Sequence, residues 1–246
     1  MNHLSGVNRL ANRYHAMRHG QSKANVAGII VSGIEADRRG DWGLTDLGRE
    51  QVLASAQACG LPVDTVICSS DFSRARQTAE IVRARLGAPP VLVAAALRER
   101  CFGDLEGTAT DNYARVWAAD EAGAEDAAGH GEDTAADHGA AGGGDAGGGD
   151  AGGEAGGGEP GGDAGGTGGG AEPAAAVLDR VTALITDLER RYADRDILLV
   201  SHGDTLQILQ AGFLRMDPAA HRRLPHLGIA EIRALRLGNG PEAADR

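Results

Sequence analysis

The chain has 246 residues, enough for one large domain or two small ones, and carries a formal net charge of −11 with 38 glycines. Both are unevenly spread: no Lys or Arg lies between Val116 and Asp179, where about 14 of the 35 acidic residues fall, leaving 24 basic against 21 acidic groups elsewhere. A mildly basic body suits a small anionic ligand. Without a Lys/Arg cluster or an aromatic stacking platform it argues against nucleic acid as a partner, and no run approaches the ~20 apolar residues of a membrane span.

Three cysteines, Cys59, Cys68 and Cys101, form an odd, widely spaced set. That favours reduced thiols in a cytoplasmic protein over a disulfide framework, and no His/Cys spacing suits a structural zinc. The stretch before Met17 has no apolar core of signal-peptide length.

In chain order, Tyr14–Arg18 reads as a short strand ending at His19-Gly20. Thr45 is an N-cap candidate for a helix through Ala58, with Leu47, Val52, Leu53 and Ala56 on one face and Gly60 and Pro62 closing it. Thr65–Cys68 reads as a strand followed by Ser69-Ser70. Asp71 or Ser73 then opens a second helix to Leu86, and Val91–Val93 is a third strand. Ala174–Tyr192 predicts a helix with Val177, Val181, Leu184, Ile185 and Leu188 on one side. Ile197–Val200 is a continuous apolar run, as a central buried strand should be. Asp204 is expected to cap a helix through Leu214, and Ile229–Leu237 to form a last strand.

Between Ala118 and Gly170 the chain is Gly, Ala, Asp and Glu with almost no large apolar side chain. Such a tract cannot bury enough apolar area to offset its ordering entropy, so disorder is expected there. His130 and His138 lie inside it, and their His-Gly pairs are attributed to chance, because a mobile loop does not hold a catalytic group in place. The division is therefore one domain, residues 1–117 and 171–240, interrupted by an acidic Gly/Ala-rich insertion at 118–170. Deleting residues between Gly139 and Gly170 should leave the fold intact, since long loops cost little closure entropy. Thermal melting of the deletion beside the full chain checks this, and a large drop in Tm would show that the tract packs.

Strands alternating with helices predict a three-layer α/β/α sandwich on a mostly parallel sheet, whose ligands sit beyond the carboxyl ends of the strands. Arg18-His19-Gly20, Ser69-Ser70 and Ser201-His202-Gly203 all fall at such ends. Two imidazoles and two guanidiniums meeting there, with either Arg74 or Arg76 as the second, would make a pocket for a phosphoryl group. The arginine fork matches tetrahedral oxyanions, and charge neutralisation by arginine needs no metal. A neutral histidine can act as nucleophile, and a carboxyl of raised pKa can protonate the leaving alkoxide.

Arg18-His19-Gly20-Gln21-Ser22, with Asn25, resembles the first motif of the histidine phosphatase superfamily, also called phosphoglycerate mutase-like. The stretches Ser69–Ala79, Leu97–Gly107 and Val200–Asp204 resemble its later motifs in the right order, and the weaker Leu44–Gly48 with Gln51 also fits. The resemblance covers everything except the insertion and the extreme termini. It implies a phosphoglycerate mutase-like fold, no cofactor and no metal, with His19 as the phosphorylated nucleophile and His202 as the second catalytic histidine. It selects Arg74 over Arg76 and makes Glu99 the acid. It puts Arg18, Arg74, Asn25 and Gly203 at the substrate. Glu106 is a rival acid, although Glu106-Gly107 reads as a turn whose carboxylate anchors the loop. His15, His221 and His226 read as structural or surface residues, and His3 as part of a loose terminus.

Mutases of the superfamily carry Trp before the motif asparagine and an Asn-Glu-Arg-His-Tyr-Gly string at the acid. Here Ala24 precedes Asn25 and the acid segment is Arg-Glu-Arg-Cys-Phe-Gly, which resembles the phosphatase branch. Hydrolysis of a small phosphomonoester is the expectation, with mutase transfer second and an inactive interaction module third. The expected partner is a small phosphorylated metabolite, and a homodimer stays open. The substrate-selecting loops of the family fall in the insertion, where Ala171-Glu172-Pro173 or Gly131-Glu132-Asp133 would be the remnant of a Gly-Glu-Ser-like turn.

Overall fold

The computed structural model describes residues 1–129 and 169–238. Strands β1 (Arg13–Arg18), β2 (Val66–Ser69), β3 (Leu92–Val93), β4 (Asp196–Ser201) and β5 (Ile232–Leu235) form one sheet in the order β3-β2-β4-β1-β5. All neighbours are parallel except β5, which runs antiparallel to β1 at the edge. The apolar run expected to be central is central: β4 lies between β1 and β2.

Alternation along the strands builds the two other layers. Ile197 and Leu199 of β4, with Tyr14 and Ala16 of β1, face helices α6 (Ala174–Arg191) and α7 (Gly203–Phe213). Leu198 and Val200, with Met17 and Ile67, face α3 (Asp46–Ala58) and α4 (Ser73–Leu86). Helix α6 presents Val177, Val181, Ile185 and Leu188 to its cluster with none of them exposed. Each such burial stabilises by roughly 1.5–3 kcal/mol. The three-layer sandwich is therefore a consequence of period-2 strands feeding period-3.6 helices on both faces.

Two short helices, α1 (Lys23–Ala27) and α2 (Ile34–Arg39), have no counterpart in the sequence expectations. At this length no apolar period can be read, and local bonds hold them instead. Ser22 and Asn25 form a capping box at α1. Asp37 of α2 reaches across to α4, accepting from Ser73 N at 2.8 Å and Ser73 Oγ at 2.9 Å. That carboxylate caps α4, whose own N-cap residue is Phe72 rather than Asp71 or Ser73. At α7 the N-cap is His202, not Asp204. The amino terminus is also tied down, with Leu4 in the core and His3 bonded to Asp179 at 3.1 Å, against the expectation of a loose end.

Expected disorder from Ala118 is corrected in part. Helix α5 spans Tyr113–Gly129, so the ordered body extends past residue 117. Alanine-rich sequence favours a helix, and polar ties join the packing of Tyr113 on Phe102 in docking it: Trp117 Nε1 donates to Asp204 at 2.9 Å, and Arg100 makes a two-pronged pair with Asp120 at 2.6 and 2.8 Å. On the far side of the insertion, Gly169 O accepts from Asp104 N and Glu172 pairs with Arg180. A deletion meant to spare the fold should therefore stop short of Gly169. The expectations for residues 130–168, including His130, His138 and Gly131-Glu132-Asp133, lie outside the described residues. Among the described residues no helix is long and apolar enough to cross a membrane.

Candidate active site

Strand register brings the two histidines together. Arg18 is paired with Ser201 across β1 and β4, so the next residues, His19 and His202, leave the sheet side by side. Their ring centroids are 5.2 Å apart at 63°. Ser69 pairs with Val200 on the other side of β4, which delivers Ser70 to the same edge, where its Oγ lies 3.0 Å from His202 Nε2. The loop after His19 can press onto α3 only because two glycines meet there. A Cβ on Gly20 would lie 2.5 Å from Gly48 O, and one on Gly48 would lie 2.0 Å from Gln21 O. Thr45, which caps α3, and Gln51 also hold this loop through Gln21.

Both faces of the His19 ring are specified. Nδ1 lies 2.8 Å from Gly20 O, which can only accept, so Nδ1 carries the proton. Nε2 then holds a lone pair, and Arg74 Nε donates to it at 3.2 Å. Burial, followed by the charges of Arg74 and Arg18, holds the pKa of His19 well below the ordinary histidine value. His202 is held low by burial and by Arg74 in the same way. Both rings are neutral across the physiological range, as a nitrogen nucleophile must be.

Arg74 is anchored from three sides. Nη2 donates to Val31 O at 2.8 Å, Asp37 lies 3.6 Å from Nη1, and the guanidinium sits 5.0 Å from the Phe72 ring. Arg18 is held through Nη1 by His226 Nε2 at 2.6 Å and Leu227 O at 3.1 Å. Burial lowers the pKa of both arginines, which stay cationic. Among buried polar atoms without a hydrogen-bond partner are Arg18 Nε, Arg74 Nη1 and His202 Nδ1. Unpaired buried polar groups cost about 1–3 kcal/mol each, so two guanidinium nitrogens and an imidazole nitrogen left open beside the His19 ring describe a candidate anion site.

Glu99 Oε1 accepts from Arg100 N at 3.0 Å, Thr205 N at 3.3 Å and Thr205 Oγ1 at 3.2 Å. Burial, then the nearby charge of Asp204, pushes its pKa up. With two backbone N–H groups on Oε1, and the one Thr205 hydroxyl hydrogen shared with Arg98 O, the proton of the neutral acid belongs on Oε2. Glu106, the rival, anchors a loop through one oxygen: its Oε2 accepts from Ser32 N, Ser32 Oγ and Gly33 N at 2.6–3.0 Å, as the sequence suggested, while its buried Oε1 has no hydrogen-bond partner. Asn25 Oδ1 accepts from Ser22 N and Ser22 Oγ at 3.0 Å in the α1 capping box. Gly203 packs against the Arg18 clamp, where a Cβ would lie 3.5 Å from Arg18 Cζ.

Three residues escaped sequence reasoning. His226 is not a bystander but the partner of Arg18. Asp37 sits in a stretch that offers no periodic or motif signal. Tyr113 stacks between Phe102 at 4.6 Å and Trp117 at 5.4 Å, and its hydroxyl feels Glu99, Arg74 and Arg18, so it walls the pocket. His221 behaves as expected of a structural residue, buried against Asp204 Oδ1 at 3.0 Å. Among the described residues no group of three or more His, Cys, Asp or Glu is arranged to hold a metal ion.

Asp204 is the hub behind the acid, accepting from Trp117, His221 and Arg100 while its side chain is 3% exposed. Replacing it with Asn should destabilise by about 3 kcal/mol, because Arg100 and His221 lose a buried charge partner. Urea denaturation measures that loss. The same change removes a charge that raises the pKa of Glu99, so the basic limb of the rate profile should move to lower pH.

A model of the histidine phosphatase superfamily (branch 1) matches residues 15–138 and 159–245. The chain belongs to this superfamily. Among its relatives, glucosyl-3-phosphoglycerate phosphatase of Mycolicibacterium vanbaalenii is 36% identical over 91 residues, 37% of each chain. A metal-independent phosphoserine phosphatase of Arabidopsis thaliana is 35% identical over 92 residues, 37% of this chain and 36% of that one. A 2,3-bisphosphoglycerate-dependent phosphoglycerate mutase of a Methylobacterium species is 33% identical over 110 residues, 42% and 49% of the two chains. The match thus spans little more than a third of the first two of these relatives. A solved mycobacterial glucosyl-3-phosphoglycerate phosphatase superposes with a TM-score of 0.58 at 26% identity, covering 90% of this superfamily member and 88% of that chain. The same enzyme was solved with VO3 and with inorganic phosphate.

Proposed function

We propose that this superfamily member hydrolyses a small phosphomonoester without a metal, through phosphohistidine on His19. One observation carries the reading: the unpaired buried nitrogens of Arg18, Arg74 and His202 lie around a histidine whose Gly20 bond leaves the lone pair on Nε2, facing Arg74 Nε. The lone pair of His19 Nε2 attacks phosphorus and the ester P–O bond breaks. Arg18, Arg74 and His202 neutralise the charge on the phosphoryl oxygens. Glu99, whose protonated form burial favours, gives its proton to the leaving oxygen. The resulting carboxylate takes a proton from water, whose oxygen attacks phosphorus. The P–N bond then breaks, releasing phosphate and neutral His19.

In this reading Asn25 supports the motif loop rather than the phosphoryl group, and Gly203 admits Arg18 to the clamp. The three cysteines are free thiols, which suits a reducing cytoplasm. Similarity to a phosphoglycerate mutase keeps phosphoryl return to a second hydroxyl as the rival. Supplying 3-phosphoglycerate and an aryl phosphate, with and without 2,3-bisphosphoglycerate, separates the two. Release of inorganic phosphate faster than isomerisation is expected, and the reverse order overturns the phosphatase reading.

A further inference from the structure

Beyond the phosphoryl clamp, the first turn of α7 gathers a second set of cationic and aromatic side chains. Arg222, in the 3-10 turn Pro218–Arg223, holds its guanidinium 3.7 Å over the Trp117 ring and donates Nη1 to Gln207 Oε1. Trp117 is itself fixed by its bond to Asp204. His226 and Arg18 meet on the other side of this turn, where a Cβ on Gly203 would come 3.2 Å from His226 Cε1. The hydrogen-bond partners of Arg18 and Arg222 are an imidazole, a backbone carbonyl and an amide oxygen, with no carboxylate among them. Their charges act on one another and on His226, which is pushed down to about 4 by burial and by both arginines. His226 is thereby kept as a neutral acceptor for Arg18. Of the carboxylates whose field reaches the set, Asp204 is consumed by His221 and Arg100, and Glu99 is the proposed acid. Glu121 and Glu231 act through space on Arg222 and His226 respectively, Glu231 being bonded to Arg233. Two like charges stand close together with nothing of opposite sign bonded to either.

This set adjoins Glu99, the proposed acid, and so the side from which the leaving group would depart. Thr205 N bonds Glu99, the preceding residue Asp204 bonds Trp117, and Arg222 covers Trp117, so one helical turn connects the acid to the cation. Tyr113 and Trp117 line the way between them with aromatic rings. We propose that Arg222, backed by Arg18 and His226, forms a subsite for a carboxylate carried on the leaving half of the phosphomonoester. The proposal rests on the phosphatase reading and narrows it to carboxylated phosphate esters. A carboxylate takes two coplanar N–H groups, which an open guanidinium edge supplies. A second phosphate would leave oxygens unpaired among the rings.

The test uses the full chain with His19→Ala, which halts turnover, and titration calorimetry with three probes: 3-phosphoglycerate, glycerol 3-phosphate and propane-1,3-diol bisphosphate. About tenfold tighter binding of 3-phosphoglycerate than of glycerol 3-phosphate is expected. Adding Arg222→Met should erase that ratio, and Arg222→Lys should keep part of it. Equal affinities in the Arg222 protein overturn the subsite, as does tightest binding of the bisphosphate, which would make it a phosphate site. Equal weakening of both monophosphates by Arg222→Met also overturns it, since that is the mark of a merely structural arginine. Failure of every phosphate ester to bind defeats the parent phosphatase reading as well, so the two failures are distinct.

Discussion

Replacement of His19 by Ala lowers kcat at least about a thousandfold and abolishes the phosphoenzyme. Nothing near it can substitute. His202 Nε2 is engaged with Ser70, and the unprotonated nitrogen of His226 is taken up by Arg18 Nη1. The loss should appear in kcat rather than KM, because the phosphate clamp is untouched. Protein from turnover of a 32P-labelled ester, quenched in alkaline detergent, is the direct measurement: label that is acid-labile and base-stable in the native chain must be missing from the variant. Label retained by the variant would move the nucleophile elsewhere. Since burial and two arginines hold His19 neutral far into the acid range, the acid limb of kcat/KM should lie well below the ordinary histidine pKa.

Glu99→Gln should cost about 10²–10⁴ in kcat on alkyl phosphates, whose leaving oxygen needs a proton. An aryl phosphate with a stable phenolate needs none, so its first step survives while the second, which needs a base to activate water, does not. Phosphohistidine should therefore accumulate, seen as a stoichiometric burst of phenol followed by slow turnover. A uniform loss on both substrates without a burst would remove Glu99 from the proton path. The sign of the pH dependence follows from burial and Asp204, both of which raise the Glu99 pKa. The native acid is protonated below that raised pKa, so leaving-group protonation persists up to it and fails as pH rises through it. That basic limb should vanish in the Gln variant.

Some of this was legible because it is local. A strand such as Ile197–Val200 declares itself by apolar continuity, helix α6 by its period, and the ends of both by residues within a turn of each other. The motif residues His19, Arg74, Glu99 and His202 were readable because their neighbours in sequence are the ones that shape their loops. Other features stayed hidden because their partners are distant in the chain. Helix α5 looked too polar to order, yet its Trp117 and Asp120 meet Asp204 and Arg100 across the fold.

Sequence by itself determined the layer order, and its motifs singled out the two imidazoles proposed for the chemistry, since both readings depend on patterns within a few residues. Tertiary structure decided the rest. Register placed Arg18 opposite Ser201, so the two rings meet, and a carbonyl at Gly20 chose the reactive nitrogen of His19. Neighbours from four other segments then assigned work to Asp37, Tyr113, Arg222 and His226. An isolated polar residue carries no sign of what it will touch. Its charge state and its partner are set only when packing excludes water and brings remote groups within bonding distance.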